Sequence, residues 1–288
     1  MISSEQRRAL AAAVAAARAA GQIMRDNLRS PKKVNQATQH DLKLELDVRC
    51  QKRIERSLRA AFPQIPILGE EGTLGDPQAP LRWVVDPIDG TVNFSSGIPH
   101  ACVSIALQLR SPESATQRPL SAPNHRAGSP AAFRSIVGVV YDPFCHELWT
   151  ARRGQAARLN GTLILVSRRR TLREAIVALG FAKEPHTLRK MLPAFNGLIH
   201  RVRKIRIMGA AALGLVYVAT GRLEAYLEYG LRLWDVAAGG LIVESAGGDF
   251  WSAALEGEHA CAILASNGLL KRPLKPWCRW SSPVPRAA

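Results

Sequence analysis

The sequence predicts an α+β protein built from mixed layers. Three observations carry that expectation. The chain has 288 residues, of which 47% are apolar, enough for a sizeable core. Its first sixty residues show helical spacing of apolar side chains. Beyond them, short Val- and Ile-rich runs punctuated by Gly and Pro mix with helical stretches, without strict βαβ alternation.

Ser4 to Leu28 reads as one Ala-rich helix, with Leu10, Val14, Ile23 and Met24 near helical spacing. Asp47 to Phe62 reads as a second, with Val48, Ile54 and Leu58 in a charged remainder, and the two are candidates for antiparallel packing. Pro66 to Gly69 and Trp83 to Val85 are expected as short buried strands, each delivering acidic residues at its end. Cys102 to Leu109 and Ile136 to Tyr141 are further strands. Arg110 to Ser135, rich in Ser, Pro, Ala, Arg and Asn, lacks any hydrophobic period and reads as a flexible hairpin insertion.

In the second half, strands are expected over Thr162 to Val166, Glu174 to Leu179, Lys204 to Met208, Leu223 to Leu227 and Ala262 to Ala265. Helices are expected over Leu188 to His200, over Ala210 to Thr220 (stopped by Gly221), and over Trp234 to Ser245 (stopped by Gly247-Gly248). A boundary near Leu148 to Asn160 divides an N-terminal α+β subdomain, 1–150, from a C-terminal α/β subdomain, 151–288.

Composition narrows the function. No apolar run approaches the roughly 18–20 residues that span a bilayer, so no membrane partner is expected. Glu5 and Arg18 spoil the likeness of the N-terminus to a secretory signal, and a cytoplasmic location is expected. Five scattered cysteines without a CxxC pair suit reduced thiols better than disulfides or zinc. The formal charge is +16. Attraction to nucleic acid is one reading of it. The basic residues are spread along the chain, however, with short clusters at Arg152-Arg153, Arg168 to Arg170 and Arg201 to Arg206, and no aromatic-interleaved stripe. An Arg-rich surface without a nucleic-acid partner is therefore favoured.

Asp47, Glu70, Asp86, Asp89 and Asp235 stand out among the acids. Asp86-Pro87-Ile88-Asp89-Gly90-Thr91 follows directly on Trp83-Val84-Val85, so a strand delivers Asp86 at its carboxyl end. Pro87 and Gly90 are expected to force a turn that folds Asp89 back beside Asp86. Two such carboxylates repel, and one holds a proton unless a cation sits between them. Oxygen donors without His or thiolate favour Mg²⁺. Taken singly, each feature has a plainer reading. Asp-Pro-x-Asp-Gly is most often a surface turn, Glu70-Glu71 a solvated pair, and Asp235 a helix N-terminal residue.

Together they resemble a known family. Asp86 to Phe94 resembles the first signature of the inositol monophosphatases, Trp234-Asp235-Val236-Ala237-Ala238-Gly239 their second, and Gly69-Glu70-Glu71 their acidic pair. Asp41 to Asp47 is similar to a degraded Asp-Leu-Val-Thr-x-x-Asp. Smaller matches continue in order, through Gly97 to Leu107, Gly138 to Thr150, Gly209 to Tyr229 and Ala265-Ser266-Asn267. The likeness runs from about Gln22 to Asn267, omitting the insertion.

The resemblance implies a layered αβαβα sugar-phosphatase fold and Mg²⁺-dependent hydrolysis of a phosphate monoester, with two to three ions. Carried over by position, Glu70, Asp86 and the Ile88 carbonyl correspond to ligands of one metal. Asp86, Asp89 and Asp235 correspond to ligands of a second, with Asp86 bridging, and Glu70 helps hold a weaker third. Thr91 with Asp47 corresponds to the pair that orients and deprotonates the attacking water, so Asp47, Glu70 and Thr91 are the candidate catalytic residues. The amides of Gly90 and Thr91 are expected to hold phosphate oxygens. Ala211, Glu228 and Asp235 correspond to positions that touch the substrate alcohol, and Asp89 is also expected to bind substrate.

The chemistry agrees with that likeness. Phosphate monoesters hydrolyse very slowly unaided, and two cations about 4 Å apart can bind attacking and leaving oxygens together. No GxSxG, HExxH or P-loop competes for the assignment. Three positions depart from the family pattern: Lys43-Leu44 replaces Val-Thr, Gln36 stands where a Lys is frequent, and Ala210 replaces Ser or Thr. These bear on rate and on the third ion.

The expected substrate is inositol monophosphate or a similar polyol or sugar phosphate, and a homodimer is expected. Histidinol phosphate, fructose 1,6-bisphosphate and a 3′-phosphonucleotide are the alternatives within the family. A basic, non-catalytic partner in an RNA or transcription complex is the alternative outside it.

Overall fold

The computed structural model describes residues 3–37, 42–111, 133–181, 185–278 and 280. Helix α1 (Ser3–Asn27) leads to a two-stranded ribbon, β1 (Val34–Ala37) and β2 (Leu42–Leu44), and to helix α2 (Glu45–Ala61). Strands β3 (Ile67–Gly69), β4 (Gly72–Leu74) and β5 (Leu81–Asp89) follow, then the one-turn helix α3 (Thr91–Ser95). Strands β6 (Cys102–Arg110), β7 (Phe133–Asp142), β8 (Glu147–Arg152), β9 (Arg158–Leu159) and β10 (Thr162–Leu163) complete a first sheet of eight strands in the order β10-β9-β8-β7-β6-β5-β3-β4.

The rest is β11 (Ile176–Leu179), α4 (Pro185–Ile199), β12 (Lys204–Arg206), α5 (Ala211–Ala219), β13 (Ala225–Arg232), α6 (Leu233–Ser245), β14 (Asp249–Ala254), β15 (Ala260–Ser266) and α7 (Lys271–Leu274). Its five strands form a second sheet in the order β12-β11-β13-β15-β14. Strands β12, β11 and β13 run parallel, and β15 and β14 are antiparallel.

Three apolar clusters hold five layers together in the expected αβαβα order, the central one filling both faces of the α5–α6 layer. α1 and α2 lie antiparallel on the outer face of the first sheet, with Arg8 bonded to the Ala61 carbonyl (2.7 Å) and the Cys50 thiol 3.8 Å from that of Ala20. The buried face of α1 is almost all alanine (Ala9, Ala13, Ala16, Ala17, Ala20), which lets it approach closely. At Gly21 a Cβ would stand 2.6 Å from the Tyr141 ring. α5 and α6 are apolar on nearly every side because they are sandwiched between the sheets. The α6 backbone rests on β7 where a Cβ on Gly138 would lie 2.9 Å from the Ala238 carbonyl. α4 and α7 cover the outer face of the second sheet. Among the described residues no helix is long and apolar enough to cross a membrane.

Several expected boundaries move. β5 does not stop at Val85; it runs on through Asp89, with a break in register against β6 between Asp86 and Asp89. The expected turn is thus a strand irregularity, and that irregularity is what admits Pro87. The expected insertion is narrower, since Arg110 and Phe133 pair across β6 and β7; 112–132 lie outside the described residues. The strand expected over Thr162 to Val166 keeps Thr162 and Leu163 alone, and β13 extends to Arg232.

Candidate active site

Three helices each begin on a carboxylate. Asp47 is the third residue of α2 and its Oδ2 accepts the Leu44 amide at 2.6 Å. Asp235 is the third residue of α6 and its Oδ2 accepts the Arg232 amide at 2.8 Å. Both reach back as the acid of a capping box does, so Asp235 is the N-terminal residue of the plainer reading as well as a candidate ligand. Asp89, at the end of β5, accepts the first amides of α5, Ala211 at 3.0 Å and Ala212 at 2.8 Å. The carboxylate thereby ties the first sheet to the middle layer, with the Cys102 thiol 3.5 Å away. An anion at a helix N-terminus is favourable, and the acids at the starts of α5 and α6, Asp89 and Asp235, are close enough to repel each other.

Asp86 sits inside the bulge of β5, its Oδ1 accepting the Ile88 amide at 3.0 Å. Its carboxylate is also hydrogen-bonded to Glu70, a contact that raises its pKa further. Glu70 is delivered beside it because β3 runs parallel to β5, with the Glu70 amide on the Val85 carbonyl (3.1 Å). Gly90 turns the chain at φ 89°, where a Cβ would stand 2.9 Å from the His100 carbonyl oxygen. The Thr91 hydroxyl then donates to the Ile88 carbonyl at 2.9 Å. Glu228, on β13, accepts a short hydrogen bond from the buried Tyr226 hydroxyl. Gly180 leaves it room: a Cβ there would lie 1.6 Å from Glu228 Oε2.

The electrostatics are those of crowded anions. Burial, then Glu70, Asp89 and Asp235, hold Asp86 well above the usual carboxylate range. Burial, then Asp89 and Glu70, do the same for Asp235. Asp89 is pushed up to about 6 by burial despite its amide bonds, and Glu228 to about 7, chiefly by burial, with Asp89 adding to it. The helix ends therefore do not supply enough positive charge.

This donor set suits a hard divalent cation, which would offset the burial and repulsion of the all-oxygen side chains Glu70, Asp86, Asp89 and Asp235. Among the described residues no three His, Cys, Asp or Glu side chains already surround one point closely enough to hold a metal. The four carboxylates share a field rather than a ligand sphere. Gln36 and Lys43, two of the departures from the pattern, are partners across the β1–β2 ribbon, and Ala210 is the residue before α5.

Other residues hold the site in place and escape local sequence reading. Gln51 takes the Glu71 amide (2.9 Å) and donates to the Gly72 carbonyl (3.0 Å), clamping the turn behind Glu70. Asn93 donates to the carbonyls of His100 (3.0 Å) and Met208 (2.8 Å), fixing the approach to α5. Ser104 holds the Trp234 carbonyl at 3.1 Å, beside Asp235. Only their place within the signatures (Asn93 and Ser104) or on a buried helix face (Gln51) could have singled them out.

A sequence profile of the inositol monophosphatase family matches residues 5–112 and 133–275. The chain belongs to that family. Within it, the chain is 37% identical over 240 residues to the Nus factor SuhB of Escherichia coli K12, covering 82% of each protein. Among solved structures, it is similar to the extragenic suppressor protein SuhB of Bartonella henselae, with a TM-score of 0.79 at 30% identity over 94% of this chain and 98% of that one. The inositol monophosphatase of Anabaena gives 0.76 at 30% identity over 96% of each. The family is a phosphatase family, and the layered fold is the one these structures share.

Proposed function

We propose that this protein is a Mg²⁺-dependent phosphatase of small phosphate monoesters, acting on inositol monophosphate or a related polyol or sugar phosphate. The observation that carries the reading is the crowding of the buried Asp86 and Asp89 with the half-buried Glu70 and Asp235 beside the N-termini of α5 and α6, with Asp86, Asp89 and Asp235 all pushed upward. A cluster of this kind is costly to bury unless a cation and an anionic ligand complete it.

Glu70, Asp86, Asp89, Asp235 and the Ile88 carbonyl are the residues to hold the metal. Bound Mg²⁺ supplies charge neutralisation for the phosphoryl oxygens and makes water acidic enough to attack at neutral pH. The chain's own groups do the rest. In the structure the Thr91 hydroxyl donates to the Ile88 carbonyl and Asp47 accepts the Leu44 amide, so the expected Thr91–Asp47 hydrogen bond is not formed; in this reading the two would orient the water and accept its proton once metal and substrate are bound. The Gly90 and Thr91 amides bind phosphate oxygens, a close approach that the side-chain-free Gly90 permits. Glu228, held by Tyr226, and Ala211, whose amide is already held by Asp89, lie on the alcohol side and set which polyol is accepted.

Phosphate release from a panel of polyol, sugar, histidinol and nucleoside phosphates, with and without Mg²⁺, tests this. Turnover of at least one polyol phosphate that EDTA abolishes is expected. Release that persists at full rate in EDTA, or none from any ester with Mg²⁺ present, overturns it. The SuhB relatives carry the name Nus factor; a purely non-catalytic role would leave this acidic site without purpose.

A further inference from the structure

The parallel strands of the second sheet have two functionally distinct ends. Their carboxyl ends face the acidic site: Gly180 follows β11, Ala211 follows β12, and Glu228 lies in β13. Their starts form the opposite rim. There the chain places Arg168, Arg169, Arg170 and Arg173 ahead of β11, and Arg203 and Lys204 at the head of β12, in register with Ile176. All six are exposed.

This rim is braced rather than loose. Asn267, at the end of β15, donates to the Arg169 carbonyl at 2.8 Å and to the Ser167 hydroxyl at 3.3 Å. Glu224, whose side chain is fully buried, accepts the Ile176 amide at 2.6 Å and holds the Arg169 guanidinium at 2.5 Å. Arg169 is thus a strut, and Arg168 and Arg170 flank it. A hollow of about 570 Å³ opens between Ser167, the three arginines, Glu174 and Gly221. Glu174, the carboxylate in its lining, accepts the Thr171 hydroxyl at 2.9 Å.

We propose that this rim binds the phosphodiester backbone of nucleic acid, separately from the acidic site. Guanidinium groups pair with phosphate through two parallel hydrogen bonds. The row crosses from β12 past β11 to β13, roughly 10 Å at the spacing of neighbouring strands. That width meets several phosphates of a strand that presents one per about 3.4 Å. No aromatic ring lines the hollow, so bases have nothing to stack on and the contact is to backbone rather than sequence. A row of guanidiniums braced at Arg169 also suits a stiff polymer better than a flexible acidic peptide. The four residues of β11 separate the two rims by roughly 13 Å, beyond a Debye length of about 8 Å, so changes at one rim leave the other's electrostatics nearly untouched.

The test is anisotropy of labelled RNA and DNA oligonucleotides of one length across a salt series. The full-length protein carries Arg168→Glu with Arg170→Glu, or the neutral pair Arg168→Gln with Arg170→Gln. The control, equal in charge, is Arg56→Glu with Arg59→Glu on the exposed face of α2. At about 50 mM salt the rim variants should bind at least roughly tenfold more weakly, and the log–log salt slope on single strands should shrink by about 1.4 for the two lost cations. The control should stay within a few-fold of the parent, RNA and DNA should bind alike, and Mg²⁺-dependent phosphate release should be equal in all. Equal losses in rim and control variants overturn the proposal, as does the absence of binding in the parent. Competition by polyglutamate or phosphatidylserine vesicles at equal charge concentration overturns it too, in favour of a generic anion surface. Phosphatase failure in the parent bears on the acidic site alone.

Discussion

The two ends of the second sheet carry opposite charges in opposite settings. At the strand ends, carboxylates are buried against one another and against helix N-termini, and they are pushed toward their neutral forms. At the strand starts, arginines stand in solvent and one is fixed as a strut by Glu224. Exposed charge is nearly free, so only its placement and bracing make it informative. Buried like charge is expensive, so its presence alone points to a ligand that removes the repulsion. The acidic end is therefore the stronger sign of function, and the basic rim depends on topology to be seen at all.

The sharpest way to break the contrast is Asp86→Asn. It keeps shape while removing the negative charge that the two proposed metal sites would share. Turnover should fall by at least two to three orders of magnitude, with Mg²⁺ affinity reduced in calorimetry, because a transition-state interaction is lost. The metal-free variant should be at least as stable as the parent, since one repelling carboxylate is gone. Nucleic-acid binding at the far rim should be unchanged. Near-normal Mg²⁺-dependent turnover in a folded Asp86→Asn protein would remove Asp86 from the bridging role.

Stability against pH sharpens the same contrast. Asp89 is protonated more readily in the folded chain than its ordinary value of 3.8 allows, titrating at about 6, and Asp86 and Asp235 shift in the same direction. The folded protein therefore binds more protons than the unfolded one between these values. The stability that the neutral forms contribute is present below pH 3.8 and is lost as pH rises through about 6 and beyond. Metal-free protein should be less stable at pH 8 than at pH 5.5, by on the order of 1–3 kcal/mol, with a correspondingly lower melting temperature, and Mg²⁺ should restore the loss at pH 8. A melting temperature that rises with pH without metal would contradict the repulsion described here.

What local sequence can reveal separates these parts of the molecule. Helices α1, α2, α5 and α6 were readable because apolar spacing and acids such as Asp47 and Asp235 mark their bodies and starts. The acidic positions were readable because they end apolar runs. The course of β5 beyond Val85 was not, because Pro87 argues against a strand and the bulge that excuses it is set by pairing with β6. β14 escaped for a related reason: it follows Gly247-Gly248, its residues are half-exposed, and β15 alone gives it a ladder. Gln51 and Asn93 act across 20 and 115 residues, respectively, and local patterns carry no trace of such reach. The basic rim was visible as the clusters Arg168 to Arg170 and Arg201 to Arg206, but parallel pairing of β11 with β12 is what makes them one surface.

A smaller effect is expected at Tyr226. Its hydroxyl is bonded to Glu228, which we place on the alcohol side of the substrate. Tyr226→Phe leaves that carboxylate without its donor, a loss of roughly 1–2 kcal/mol in positioning for a charged hydrogen bond. KM should rise several-fold and unequally across polyol phosphates while kcat and Mg²⁺ dependence change little. A uniform fall in kcat with unaltered preference would instead make Tyr226 a support of the metal ligands.

The smallest change is expected from the largest alteration in length. Arg110 and Phe133 are directly paired at the open ends of β6 and β7, so a two-residue Asn-Gly turn can join them with the twist that a hairpin needs. Replacing 111–132 by that turn removes a segment without apolar period, and shortening a loop lowers its closure entropy slightly. Phe133 must stay, because its ring lies 3.6 Å beneath the Arg82 guanidinium, which in turn bonds Gln108 on β6. Melting temperature, Mg²⁺-dependent turnover and rim binding should all stay close to those of the parent. Loss of turnover with the fold intact would mean that the removed segment works at the acidic end; loss of RNA binding alone would mean that its own arginines, rather than the braced rim, carry that contact.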